Sequence, residues 1–106
     1  MMESLKKSQL FKQVYNHRRS VANRLLVLYI CQNDIGFNRL GVSVSKKVGG
    51  AVVRNRIKRL IKENLRLISV STGYDLVVVV RPTAAEANFH QIGKSLLNLL
   101  DRHKVV

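Results

Sequence analysis

Leu40 to Arg66 reads L-G-V-S-V-S-K-K-V-G-G-A-V-V-R-N-R-I-K-R-L-I-K-E-N-L-R, and the fold turns on a change of period inside it. Leu40, Val42 and Val44 alternate with Gly41, Ser43 and Ser45, the period of two expected of a half-buried strand whose second face is small and polar. Lys46, Lys47, Val48, Gly49 and Gly50 break the alternation, because paired glycines weaken any regular element and open backbone angles that other residues avoid. From Ala51 the apolar residues Val53, Ile57, Leu60, Ile61, Leu65 and Ile68 recur at helical spacing, which predicts a helix of about 15 residues with one apolar stripe.

Upstream, Ser8 suits the cap of a short helix over 8–16, in which Phe11, Val14 and Tyr15 fall at helical spacing. After the basic turn His17, Arg18, Arg19 a short strand is expected at 20–23, and the Leu-, Val-, Tyr- and Ile-rich run Leu25 to Cys31 predicts a longer one. Asn33, Asp34 and Gly36 are turn formers. Downstream, a turn at 69–73 leads to an apolar strand from Tyr74 to Arg81, whose run Val78, Val79, Val80 implies cover on both faces and which Pro82 ends. Phe89, Ile92, Leu96, Leu99 and Leu100 predict a C-terminal helix over Ala85 to Arg102. The order α, β, β, β, α, β, α describes an α/β (α+β two-layer) domain, a four-stranded mixed sheet with helices packed on it. With 106 residues and no repeat, linker or low-complexity segment, the chain 1–106 reads as one domain.

Charge is the abnormal feature: 19 Lys and Arg against 6 Asp and Glu leave +13, which asks for a polyanionic partner. Residues 1–66 hold 15 of the cations and 3 of the acids, so the positive field belongs to the first part of the chain. The acids Glu3, Asp34, Glu63, Asp75, Glu86 and Asp101 are scattered singly, which argues against a carboxylate metal cage of the kind nucleases use. His17, His90 and His103 have no Cys or acid at ligand spacing, so no metal site is expected. Lone Cys31 cannot form an internal disulfide, no signal-like segment opens the chain, and no apolar run approaches the roughly 20 residues of a membrane span. A cytoplasmic protein without a membrane role is expected.

Eight cations fall between Ser43 and Arg66. On the helix Arg54, Lys58 and Lys62 are spaced by four and share a face flanked by Arg59 and Arg66, and only Glu63 interrupts it. Like charges so placed repel by a few tenths of a kcal/mol per pair. A phosphate backbone would offset that cost; the alternative is a merely solvated face. Arg54, Asn55 and Arg56 open the helix after the glycines, where unpaired N–H groups and the helix dipole also favour phosphate. Arg56 lies nearer the apolar stripe, so it could instead pair with a carboxylate or pack its stem on the core. Gly49 and Gly50 suit either a tight turn or the close approach of a phosphate.

The pattern S-V-S-K-K-x-G-x-A-V-x-R-N-R-I-K-R-L-I-K-E from Ser43 closely resembles the signature of the protein subunit of bacterial ribonuclease P. The likeness continues in Phe11 and Tyr15, in S-V-A-N-R from Ser20 to Arg24, in V-L-Y from Val27 to Tyr29 and in V-V-V-R-P ending at Pro82, and it spans essentially the whole chain. Gly50 stands where that pattern leads us to expect Asn, and the end after Val106 is short against it. The resemblance implies a holoenzyme in which ribonuclease P RNA is the catalyst, magnesium is held mainly by that RNA without an organic cofactor, and the 5′ leader of precursor tRNA is removed. It also implies a left-handed crossover over about residues 39 to 81, against a rule that is right-handed in about 98% of cases.

By the same resemblance Arg54, Asn55, Arg56, Lys58, Arg59 and Lys62 would dock on the catalytic RNA. A cleft between the first helix and the sheet would hold the single-stranded leader, with Phe11, Tyr15 and Tyr29 on its walls. Single-stranded RNA is held by stacking on aromatic faces beside cations, although an aromatic pair at i and i+4 can equally be core. Ser43 and Ser45 are small enough to admit RNA to the sheet, and Lys12, Arg24, Lys46 and Lys47 would supply phosphate contacts. The rival reading is a purely structural RNA-binding protein such as a small ribosomal protein; an autonomous nuclease is disfavoured by the missing carboxylates.

Overall fold

The computed structural model describes residues 2–5 and 19–106. Its strands are β1 (Glu3–Ser4), β2 (Ser20–Ala22), β3 (Leu26–Gln32), β4 (Arg39–Val44) and β5 (Tyr74–Val80), and its helices are α1 (Ala51–Leu67) and α2 (Phe89–Arg102). The strands form one mixed sheet in the order β1-β4-β5-β3-β2, with β4 parallel to β5 and β3 antiparallel to it. The α/β class and the change of period at Gly50 are as expected. The helix expected over 8–16, with Phe11, Lys12 and Tyr15, lies outside the described residues.

Two expectations are corrected. The sheet has five strands and not four, because Glu3 and Ser4 pair in parallel with Arg39 and Leu40; two residues are too short to carry a periodic signal. The last helix begins at Phe89 and not at Ala85. A 3-10 turn at Pro82–Ala84 comes first, and Asn88 then caps α2 in a reciprocal box, its side chain accepting from the Gln91 N–H while the Gln91 side chain accepts from the Asn88 N–H. Phe89, expected on the apolar stripe, therefore opens the helix and is 39% exposed.

The central strand is covered on two sides. Leu76, Val78 and Val80 pack with Leu26, Leu28 and Ile30 of β3, Ile57, Ile61 and Leu65 of α1, and Ile92, Leu96, Leu99 and Leu100 of α2. On the other face Val77 is buried with Leu5, beside Tyr29, Cys31 and Val79. The helices meet closely at Gly93, where an added Cβ would stand 2.5 Å from Asn64 Oδ1. Asn64, the polar residue within the buried side of α1, donates to the Leu60 carbonyl at 2.9 Å and to the Phe89 carbonyl at 3.0 Å, which ties the start of α2 to α1.

The hand of the β4-α1-β5 crossover follows from the ladder. Arg81 N–H donates to the Leu25 carbonyl and Asn33 N–H to the Gly73 carbonyl, so odd-numbered residues of β5 bond to β3. Even-numbered residues therefore turn their backbone groups toward β4. When an L-residue of an upward strand points its side chain at the viewer, its N–H and C=O point to the viewer's right. Leu76, Val78 and Val80 point at the helices, so β4 lies to the right of β5 seen from the helix side, and the chain moves leftward as it crosses in front of the sheet. The crossover is left-handed, the rare choice among βαβ units. Both described helices lie on this one face.

Candidate nucleic-acid interface

α1 buries Ile57, Ile61, Asn64 and Leu65 and turns Asn55, Arg59, Lys62 and Arg66 to solvent. With Lys58 and Glu63 these line a shallow depression along the helix, four cations against one carboxylate. Arg59 and Glu63 approach only to 3.9 Å and both are well exposed, a pair worth about 0 to 1 kcal/mol that leaves the positive character of the face intact. Asn55, Lys58, Arg59 and Lys62 are thus brought together as the sequence suggests, and Arg66 joins them.

The two outer members of R-N-R do not line this depression. Arg56 donates from Nη1 to the Ala87 carbonyl at 3.0 Å and from Nη2 to the Ala85 carbonyl at 2.7 Å, fastening the connector between β5 and α2 to α1. Its place near the apolar stripe was the visible signal, but its partners are backbone carbonyls and not a carboxylate or the core. Arg54 is half-buried, and its Nε is buried without a partner among the described residues.

The glycines divide their roles. A Cβ at Gly49 would stand 2.9 Å from Val53 Cβ, so Gly49 serves the packing of the loop on α1. Gly50 is the N-cap with φ −70°, a Cβ there would meet open space, and no side chain caps the helix. The first turn also lacks an acid, so that end of α1 stays electropositive.

On the sheet face away from the helices, Tyr29, Val77 and Gly41 lie in one row and Val27, Val79 and Ser43 in the next. Tyr29 and Ser43 therefore share that face, and Ser45, Lys46 and Lys47 are exposed just beyond the end of β4. Arg24 is not brought to them. It stands in the turn between β2 and β3 and lines a second depression with Asn23, Leu25, Gln91, Lys94, Ser95 and Asn98. The reason is Asn23, whose Oδ1 accepts from the Leu25 and Leu26 N–H groups and whose Nδ2 donates to the Ser95 carbonyl, fixing the turn to α2. Arg81, which sequence reading passed over, donates to the Asn23 carbonyl at 2.8 Å.

Other polar residues are engaged within the fold. Arg39 forms a two-pronged pair with buried Asp75 at 2.7 Å for each contact, and Asn33 adds a third hydrogen bond at 2.9 Å. Burial, with Asp75 nearby, pushes the Cys31 thiol pKa up, against an opposing effect of Arg19. His103 is buried, its Nε2 within 3.0 Å of the Leu28 carbonyl. Among the described residues no three His, Cys, Asp or Glu side chains gather to hold a metal ion, and no described helix is long and apolar enough to cross a membrane.

Fold and surface together define a basic α+β domain whose left-handed crossover helix carries a cationic face. The Ribonuclease P family model matches residues 2–104, and the chain belongs to that family. The ribonuclease P protein component of Lachnoclostridium phytofermentans is 49% identical over 108 residues, covering 100% of this chain and 93% of its own length. That of Clostridium botulinum strain Langeland is 50% identical over 101 residues, covering 92% and 91%. The solved RNase P protein of Staphylococcus aureus superposes with a TM-score of 0.90 at 41% identity over 99% of this chain and 98% of its own. The Thermotoga maritima protein gives 0.80 at 31% identity over 87% and 89%.

Proposed function

We propose that this chain is the protein subunit of a ribonuclease P ribonucleoprotein, an endoribonuclease that removes the 5′ leader of precursor tRNA, with cleavage carried out by the RNA. The observation that carries this reading is the α1 depression, four cations against one carboxylate, on a chain of this family. Asn55, Lys58, Arg59 and Lys62, with Arg54 and Arg66 beside them, contact phosphates of the catalytic RNA. Arg56 supports that surface by holding the connector behind it.

The leader lies along the sheet face opposite the described helices, where Tyr29 and Ser43 share rows with small and apolar neighbours and Ser45, Lys46 and Lys47 stand at the strand end. Phe11, Tyr15 and Lys12, outside the described residues, are assigned to leader binding by the family resemblance, each stacked base contributing about 1 to 3 kcal/mol. Magnesium, held mainly by the RNA and not by side chains of this protein, would supply charge neutralisation and Lewis-acid chemistry to the reaction. The protein's own task is to bind and orient two RNAs in the cytoplasm.

The test is cleavage of a precursor tRNA at low magnesium by the cognate RNA, with and without this protein, and by the protein alone. Stimulation only when both are present is expected. RNA binding without stimulation would favour a structural RNA-binding role, and cleavage by the protein alone would overturn the assignment of chemistry to RNA.

A further inference from the structure

The second depression, between the β2-β3 turn and α2, has an unusual polarity. Three of its lining residues, Asn23, Gln91 and Asn98, are amides, and in each the oxygen accepts a hydrogen bond inside the fold. Gln91 Oε1 accepts from the Asn88 backbone N–H at 3.0 Å. Asn98 Oδ1 accepts from Asn23 Nδ2 at 3.2 Å. Backbone partners fix these orientations: Asn23 Oδ1 is held by the Leu25 and Leu26 N–H groups, so Asn23 must present its NH2 to the Ser95 carbonyl and to Asn98. Ser95 Oγ is likewise spent, donating to Asn23 Oδ1 at 2.8 Å.

What remains at the surface is rich in donors. The Gln91 and Asn98 NH2 groups stand with Arg24 and Lys94 around one concavity, and all four residues are exposed. Neither cation pairs with a carboxylate among the described residues, whose ion pairs are Arg39–Asp75 and Arg59–Glu63. The backbone beneath is rigid, since the Thr83 hydroxyl donates to the Arg24 carbonyl and the turn is fastened to α2 through Asn23. A shallow surface with four donor-bearing side chains, whose amide oxygens are engaged within the fold, suits a ligand rich in acceptors and negative charge. A phosphodiester backbone is such a ligand.

We propose that Arg24, Gln91, Lys94 and Asn98 form a further RNA-backbone contact, separate from the α1 face and from the sheet face opposite the described helices. It rests on the RNA-partner reading above, and its phosphates can come from the catalytic RNA or from the precursor tRNA. Two titrations separate those sources: protein binding to the cognate RNA alone, and precursor tRNA binding to the assembled holoenzyme, each over a range of salt.

Three variants are compared with the wild type in both titrations. Arg24→Gln with Lys94→Gln removes the charges. Asn98→Asp keeps the oxygen that accepts from Asn23 and puts a second oxygen outward. Gln91→Glu keeps the capping box, so α2 stays capped while a carboxylate replaces the outward NH2. In one of the two arms the charge-removed variant should bind about tenfold or more weakly, with a log-log salt slope shallower by about 2. Gln91→Glu and Asn98→Asp should weaken the same arm with thermal midpoints equal to or above wild type for Gln91→Glu. Unchanged affinity and slope in both arms, with folding intact, would overturn the proposal. Lys58→Gln with Lys62→Gln on α1 is the control: weakening there alone removes this surface but keeps the RNA-partner reading, whereas absence of any RNA binding by the wild type removes that reading itself.

Discussion

Single side chains settle several of the long-range contacts in this protein. Gly93 exists because Asn64 needs its space, the amide spanning from its own helix to the Phe89 carbonyl. Gly93→Ala should destabilise by about 1 to 3 kcal/mol through displacement of Asn64, read as a lowered midpoint in urea unfolding. His103 is the titrating counterpart. Burial pushes its pKa below the ordinary 6.5, with Arg19 and Arg102 acting the same way and the hydrogen bond to Leu28 opposing. The unfolded chain thus takes up this proton at a higher pH than the native chain does. Stability from this group is full above about pH 6.5 and falls as pH drops below that toward the native pKa. Unfolding at pH 7.5 and 5.5 should show a larger loss for the wild type than for His103→Gln.

At the scale of elements, α1 is a helix with two separate duties. Its apolar stripe was legible because a period of 3.6 is written locally, and the cationic face follows from the same count. The departure of Arg56 from the cationic face was signalled by its place near the apolar stripe, but its partners were not legible, since Ala85 and Ala87 lie 29 and 31 residues away. The duties should separate experimentally. Arg56→Lys keeps the charge but cannot reproduce the fork, so it should cost about 1 kcal/mol of stability with an unchanged salt slope for RNA binding. Lys58→Gln with Lys62→Gln should leave stability within about 0.5 kcal/mol and make that slope shallower by about 2. Chemical unfolding and salt-dependent titration of the same samples check both.

For the molecule as a whole, the left-handed crossover puts α1 and α2 on one side of the sheet and leaves Tyr29 and Ser43 on the other. On the function proposed above, contacts to the catalytic RNA and to the precursor tRNA are expected to weaken independently. Phe11→Ala and Tyr29→Ala should weaken precursor tRNA binding to the holoenzyme in proportion to leader length, by about 1 to 3 kcal/mol for a lost stack, while assembly on the catalytic RNA is unchanged. Titration of leader-bearing and leaderless tRNA against each variant checks this, and equal losses on the two substrates would contradict the placement.

The sequence by itself determined the α/β class, the positions of the longer strands and helices, the concentration of charge before residue 67 and the family to which the chain belongs. All of these are written in periodicity, composition and contiguous motif, which need only near neighbours along the chain. Tertiary structure decided which cations remain available. Arg56 turned to the connector, Arg39 to Asp75, and Arg24 toward α2, where Gln91 and Asn98 direct their oxygens inward. It also decided the fifth strand, since Glu3 finds Arg39 only in the folded sheet. The physical reason is that polar side chains such as those of Arg56 and Arg39, and the backbone groups of a short strand, take hydrogen-bond partners that are near in space but tens of residues distant in the chain.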